Sequence, residues 1–470
     1  MSSNVMQDFT FRERDEFIRQ PIAEKIIKLL DSEINVSPMI IDGKWGTGKT
    51  EFCFKLKNLI EANNPNDYKI GYVNAFQADH ANEPLLTLIA EVAGFYSEDD
   101  EKRKSFIKKA IPYLRLVSGI GIKAIASLAF GKYAADIPDE LKEGMEAIKE
   151  GSDSFIDQSL ESMIKDQVEA EKNLSTLKEA LKEIAAVNPV ILLIDELDRC
   201  RPDFAVAMLE TIKHVFDVEN VQILLVTNAE QLKATIKHSY GNETDSDSYL
   251  YKFFKYQINL PTTSKNEQNQ SVDNNVTYFR KVVQDSKVIP QEFKENNFIY
   301  DISKFLNINL LSLRKIEQVV RCIETLIIFE DKEKSKYVKS EQLLVTFLCF
   351  IYMIDYQKFM DLVNKRLTCI DFKSCVKGEI PDLVNDREFI KNNGAIFFII
   401  ATIDNLIINN IIGIQHTNQG YNLRLLVEVL KHQLNLQGLS TSNNKIHPTH
   451  HFYEYIVHTI ENLLLFDSYK

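Results

Sequence analysis

The chain has 470 residues, 45% hydrophobic and 26% charged, with only 16 glycines and 12 prolines. This excludes long disordered or collagen-like stretches and predicts a soluble, helix-rich protein of two or three packed units. The formal net charge of -12 excludes unspecific nucleic-acid binding by the chain as a whole and leaves room only for a local basic patch.

In chain order, the first residues, MSSNVMQDFTFRERDEF, carry early charges and no apolar core. Neither a signal nor a transit peptide is expected, and a cytoplasmic protein is. From Arg14 to Leu30 the apolar residues Phe17, Ile18, Ile22, Ile26, Ile27 and Leu30 recur at helical spacing, which predicts an amphipathic helix. Pro38 to Asp42 reads as a short buried strand ended by glycine, and Thr50 to Ile60 as a helix. Further strands are expected at Lys69 to Asn74, Val190 to Asp195, Val221 to Thr227 and Tyr256 to Leu260. Helical patterns lie between them at Pro84 to Val92, Pro138 to Ala186 and Phe204 to Phe216. Strands alternating with helices imply an α/β fold with a parallel sheet covered on both faces. After Pro261 a polar loop (TTSKNEQNQSVDNN) precedes helical periodicity from Val276 onward, so a domain boundary is expected within 262–275.

The apolar stretch Ala110 to Phe130 (AIPYLRLVSGIGIKAIASLAF) approaches the length of a membrane span. It contains Arg115 and Lys123, each costing roughly 2.5 kcal/mol or more at a bilayer centre. A single crossing would also separate the glycine loop at 43–50 from the acidic pair at 195–196. A buried or partner-covered helix is therefore the preferred reading, with membrane-surface contact as the alternative. Leu343 to Ile354 and Ala395 to Ile403 are too short to span and read as core helices. The six cysteines (53, 200, 322, 349, 369, 375) form no CxxC pair and read as reduced core thiols. His447-Pro448-Thr449-His450-His451 reads as a surface loop rather than a metal site, and Asp331 to Lys339 as a solvated helix junction.

Gly43-Lys44-Trp45-Gly46-Thr47-Gly48-Lys49-Thr50 fits GxxxxGK[ST] between a strand and a helix, a pattern met by chance in on the order of one chain in a hundred of this length. Glycines allow backbone N–H groups to turn inward around phosphate oxygens, and the following helix adds the positive end of its dipole. Residues 43–51 are thus the expected nucleotide-binding segment, ending in Glu51. Lys49 would reach the β- and γ-phosphates, and Thr50 would ligate Mg²⁺. The strand VILLIDE ends in two carboxylates: Asp195 to hold Mg²⁺ through water and Glu196 to act as general base on the attacking water. Thr227-Asn228 closes another strand, where Asn228 either orients water against the γ-phosphate or makes a simple turn. Arg199 and Arg201 are either charge-stabilising fingers, in cis or from a neighbouring subunit, or partners of Asp198 and Asp203. No NKxD sequence for guanine occurs, which favours ATP over GTP.

These segments resemble the KAP family of P-loop NTPases over residues 14–325. The likeness is carried by GKWGTGKT with Trp45, by Asn74-Ala75-Phe76, by IDELDRCRP at 194–202, and by Tyr249-Leu250-Tyr251-Lys252 before Leu260-Pro261. The chain departs from the family in having Asp195-Glu196 where Asp-Asp is usual, which resembles the related AAA+ pattern. It also has only the 110–130 stretch where many members carry paired membrane helices. The resemblance implies a parallel five-stranded P-loop core at 1–275 with a helical insertion at about 95–186, a helical lid at 276–330, and a helical region of unknown role at 331–470. In the lid, Ser312-Leu313-Arg314-Lys315 places Arg314 like an arginine that senses the γ-phosphate. The function implied is Mg-dependent ATP hydrolysis driving oligomerisation or a conformational switch that controls a separate effector, as in bacterial antiphage defence. The alternatives are a weakly hydrolysing ATP-switch scaffold or a membrane-surface signalling ATPase.

Overall fold

The computed structural model describes residues 8–118 except 82 and 98, then 160–265, 270–295, 311–329 and 339–363, two strands within 439–448 and scattered further positions. It divides into two compact units, Met1–Pro261 and Thr262–Lys470.

In the first unit the elements run α1 (Gln20–Leu30), β1 (Met39–Asp42), α2 (Lys49–Ala62), β2 (Lys69–Asn74), the single turn α3 (Ala75–Ala78), α4 (Pro84–Ala93), α5 (Glu101–Ser118) and α6 (Leu160–Val187). They continue with β3 (Val190–Asp195), α7 (Pro202–Val215), β4 (Val221–Thr227), α8 (Ala229–Tyr240), α9 (Ser246–Tyr251) and β5 (Tyr256–Asn259). The five strands form one parallel sheet in the order β2-β3-β4-β1-β5.

A parallel sheet buried on both faces needs strands that are apolar at every position, and β3 (VILLID) is buried along its whole length. Its residues divide by the two-residue period. Val190, Leu192 and Ile194 join a core with α4 to α8, whereas Ile191 and Leu193 join a second core with α1 and α2. β4 does the same with Ile223 and Leu225 against Leu224 and Val226. Each such side chain contributes roughly 1.5–3 kcal/mol through burial. β2 is an edge strand, and its open side is met by a side chain: the Glu91 carboxylate of α4 accepts the Tyr72 N–H at 2.8 Å. Gly71 makes room for it, because a Cβ there would lie 2.6 Å from Glu91 Cγ.

Local readings change where a single residue overrides the pattern. The first helix starts at Gln20, not Arg14. Pro21 suits only the first turn of a helix, and Ile18, at φ 51°, cannot continue one. The first residues of the 110–130 stretch complete α5, whose Phe106, Ile107, Ala110 and Leu114 bury against Leu177, Leu181 and Ile184 of α6. Lys109 and Glu183 bridge the pair at 2.6 Å. Residues 119–130, and with them most of the membrane question, lie outside the described residues, as do 138–159, 331–338, 395–403, Cys369 and Cys375. No described helix is long and apolar enough to cross a membrane. Cys53, Cys200, Cys322 and Cys349 are free and buried.

The second unit opens with two short antiparallel strands, β6 (Thr263–Lys265) and β7 (Ser271–Asp273). They lie inside the segment read as a polar loop, whose residues show none of the apolar alternation that marks a strand. α10 (Asn274–Asp285), α11 (Gln291–Lys294), α12 (Leu313–Phe329), α13 (Lys339–Ile354) and α14 (Tyr356–Val363) follow. α12 packs on α10 and α13, and the Tyr278 hydroxyl donates to Glu317 across the first of these contacts at 2.5 Å. β8 (Leu439–Ser442) and β9 (Lys445–Pro448) form a further antiparallel pair. His447 and Pro448 therefore lie on a strand rather than in a surface loop, and no metal-ligating cluster occurs among the described residues.

Candidate nucleotide site

The sheet register collects polar residues at one edge. Asn74 lies opposite Asp195, Asp42 opposite Thr227 and Asn259, and Asp195 beside Val226, one residue before Thr227. Each is the last residue of its strand, at the carboxyl ends where open α/β sheets bind ligands. β1 sits between β4 and β5, so the chain leaving Asp42 enters the crevice where the strand order reverses.

The loop 43–48 fills that crevice. It is anchored by Gly43 N–H to Thr227 O at 3.1 Å. Asp42 holds its two neighbours, accepting from Ala229 N–H at 2.8 Å and from Gln257 Nε2 at 3.3 Å. Gly46 (φ 72°) and Gly48 (φ 80°) occupy the left-handed region, which costs glycine nothing and other residues about 1–2 kcal/mol. Gly43 is needed for room, since a Cβ would fall 3.0 Å from Thr47 Oγ1 and 3.2 Å from Lys49 Cγ. Thr47 Oγ1 donates to Lys44 O at 2.8 Å, and Gly48 is the N-cap of α2.

Lys49 is 9% exposed, and its ammonium curls under the loop, donating to Gly43 O at 2.7 Å and Lys44 O at 3.3 Å. Burial lowers its pKa, opposed by the charges of Asp198 and Asp195. The hydroxyl of the next residue, Thr50, lies beside Asp195, where it favours the charged carboxylate. Asp195 is wholly buried, accepts from Tyr72 Oη at 3.3 Å and from Glu196 N–H at 2.8 Å, and burial raises its pKa to about 6 despite the nearby Thr50 hydroxyl. Burial beside Asp195 pushes the Tyr72 hydroxyl far up as well, so it remains a donor.

Glu196 follows with φ 63°, a left-handed conformation that for a glutamate costs about 1–3 kcal/mol and is held only by its surroundings. Both carboxylate oxygens are engaged: Oε2 accepts from Asn74 Nδ2 at 3.1 Å, and Oε1 pairs with Arg199 Nη1 at 2.9 Å. Arg201 binds Asp79, with Nε to Oδ1 at 3.0 Å and Nη2 to the backbone oxygen at 2.8 Å. Asp198 serves neither arginine as sequence reasoning suggested. It is 4% exposed and accepts from Trp45 Nε1 and, at 3.0 Å, from Thr227 Oγ1. The indole N–H is thus tied inward while Trp45 as a residue is 51% exposed.

Of the expected site residues, the structure brings together Gly43 to Thr50, Asp195 and Glu196. Glu51 contributes only its place in the first turn of α2, because its carboxylate pairs with Lys55 at 2.7 Å and Arg14 at 3.4 Å. The Asn228 side chain caps α8 by accepting from Gln231 N–H at 3.4 Å. Arg314 belongs to the second unit, as the second residue of α12, and the constellation above is built from the first unit alone. Sequence reasoning missed Asp42, Tyr72, Asp198 as the tie between loop and turn, and Arg19. Only Asp198 carried a signal, its place beside the acidic pair.

The arrangement suits a polyphosphate with a hard cation. Gly43 leaves little room for an added side chain, Gly46 and Gly48 hold left-handed backbone, and a buried ammonium lies beneath the loop. The Thr50 hydroxyl and Asp195 carboxylate supply oxygen ligands of the type Mg²⁺ prefers.

No curated protein matches the sequence. Solved structures that match include that of C. elegans PCH-2, 13% identical over 73% of this chain and 71% of that one, with a TM-score of 0.30. The profile of the KAP family P-loop domain matches residues 19–327, well over half of the chain. The protein belongs to the KAP family of P-loop NTPase domains.

Proposed function

We propose that the first unit binds Mg-ATP on the 43–50 loop and hydrolyses it, and that the cycle drives oligomerisation or a conformational switch controlling a partner effector, as in antiphage defence. The observation that supports this best is the placing of the Thr50 hydroxyl beside Asp195, which brings the end of the glycine loop to the acidic strand end one residue from Glu196. Bound Mg²⁺ would neutralise phosphate charge, with Thr50 and Asp195 as its protein-side anchors. Lys49 would leave the Gly43 and Lys44 carbonyls to pair with the β- and γ-phosphates. Glu196, freed from Arg199, would take the proton of the attacking water. Asn228, at the mouth of β4, and Arg314, in a lid comprising 276–330, would report the γ-phosphate.

A second reading, an ATP-loaded scaffold with little turnover, is favoured by the engagement of both Glu196 oxygens by Asn74 and Arg199. Two partners fix the orientation of this carboxylate, so it turns toward an attacking water only when one of them moves. Phosphate release at saturating Mg-ATP separates the two readings. An ATPase exceeds its Lys49→Ala variant by about 10²–10³-fold, whereas equal rates would leave only the scaffold.

A further inference from the structure

Arg19 is a cation that its surroundings oppose. It stands at the N-cap position of α1, yet its side chain caps nothing. Asp15 does that work, its two carboxylate oxygens accepting from Arg19 N–H at 2.8 Å and Gln20 N–H at 2.9 Å. A helix N-terminus disfavours positive charge, and Ser, Thr, Asp or Asn is the usual residue there. The guanidinium is nonetheless turned inward and only 4% exposed. One nitrogen, Nη1, donates to Thr47 O of the phosphate loop at 2.8 Å, and Nη2 approaches Pro261 O at 3.5 Å. The group lies 4.8 Å from the centre of the Phe17 ring. Nε is buried with no hydrogen-bond partner, and among the described residues no carboxylate comes within ion-pair distance of it. Burial pulls its pKa down to about 10 even with Glu51 and Asp15 nearby.

A buried charge without a counter-charge is expensive, and an apolar side chain of similar size is often no worse for stability. Burial, helix dipole and the orphaned Nε all oppose the cation, so its favourable partner is to be sought in a bound state. The Thr47 carbonyl points to Arg19, and peptide N–H and C=O groups point in opposite directions. The contact therefore fixes a loop peptide with its oxygen away from any anion bound to the loop amides.

We propose that Arg19 is a positioning residue and second-layer cation of the phosphate loop, holding the Thr47 peptide in its anion-binding orientation and adding an unneutralised positive charge beneath the site. This role rests on reading the loop as a polyphosphate site. Attraction between unit charges across about 10 Å of protein amounts to roughly tenfold in a binding constant.

The test uses the full chain with Arg19→Met, Arg19→Gln and Arg19→Lys. Unfolding temperature without nucleotide and calorimetric affinity for Mg-ATP and inorganic tripolyphosphate are measured. Arg19→Met is expected to unfold no lower than the parent yet bind both ligands about tenfold more weakly. Arg19→Gln, which keeps a donor for Thr47 O without the charge, should weaken similarly. Arg19→Lys, which keeps the charge, should stay within about threefold of the parent. Neutral variants that bind tripolyphosphate as tightly as the parent would overturn the proposal, and so would a loss confined to unfolding temperature. Should Arg19→Met fail to fold, the Gln and Lys pair decides alone. Lys49→Ala is the control. If it binds tripolyphosphate like the parent, the loop reading itself fails, an outcome distinct from any result at Arg19.

Discussion

The phosphate loop at 43–50 and the turn at 196–201 lie side by side but are built by opposite means. The loop is held chiefly by its own residues: glycines in the left-handed region, the Thr47 hydroxyl on Lys44 O, and the Lys49 ammonium on Gly43 O. The turn is held by side chains from elsewhere in the chain. Asn74 holds Glu196 across 122 residues, Asp79 holds Arg201 across 122, and Trp45 holds Asp198 across 153. A binding loop can be a local motif because phosphate is recognised by backbone amides. A catalytic turn has to assemble at the meeting point of several strands.

The largest effect that would sharpen this contrast is expected for Glu196→Gln. If the turn is the chemical half and the loop the binding half, phosphate release falls by about 10²–10⁴-fold while calorimetric affinity for Mg-ATP stays within a few-fold of the parent. A parallel loss of affinity would erase the division. Next is Asp198→Ala, which cuts the tie between the two regions and leaves the buried Thr227 hydroxyl and the indole N–H short of an acceptor. A loss of about 1–3 kcal/mol in denaturant unfolding is expected. The emission of Trp45, the only tryptophan, should shift at the same time because its ring is no longer anchored. An unchanged spectrum would mean that the indole is positioned by something other than Asp198.

The smallest effect lies at the far edge of the sheet. Burial raises the Glu91 pKa, so the folded state holds that proton more tightly than the unfolded chain does. The associated stability is complete below the ordinary carboxylate range and is lost as pH rises through the raised value. Glu91→Gln keeps an acceptor for Tyr72 N–H without the titration. Denaturant curves at acid and neutral pH should show the variant gaining on the parent as pH rises, by no more than about 1 kcal/mol. A parent whose stability is flat relative to the variant over that range would show that Glu91 ionises without cost.

Much of the fold was legible because it follows from short-range rules. All five strands of the parallel sheet were expected to within one residue at each end, β1 starting at Met39 rather than Pro38 and β5 ending at Asn259 rather than Leu260. Apolar runs bounded by turn residues can hardly do otherwise in water. Local errors came where a single residue overrides periodicity, as at Pro21 and Ile18 before α1, or where periodicity is absent, as in β6 and β7.

The linear chain by its own pattern specified the phosphate loop, the acidic strand end, the alternation of strands and helices, and the family. In each of these the controlling interaction spans fewer than ten or so residues. Folding alone settled which charges face one another. Arg199 meets Glu196 rather than Asp198, Asp198 takes the indole of Trp45, and Arg19 lies under a loop 28 residues away. Long charged side chains have many partners within reach, and the choice among them depends on strand order and burial, which no local pattern encodes.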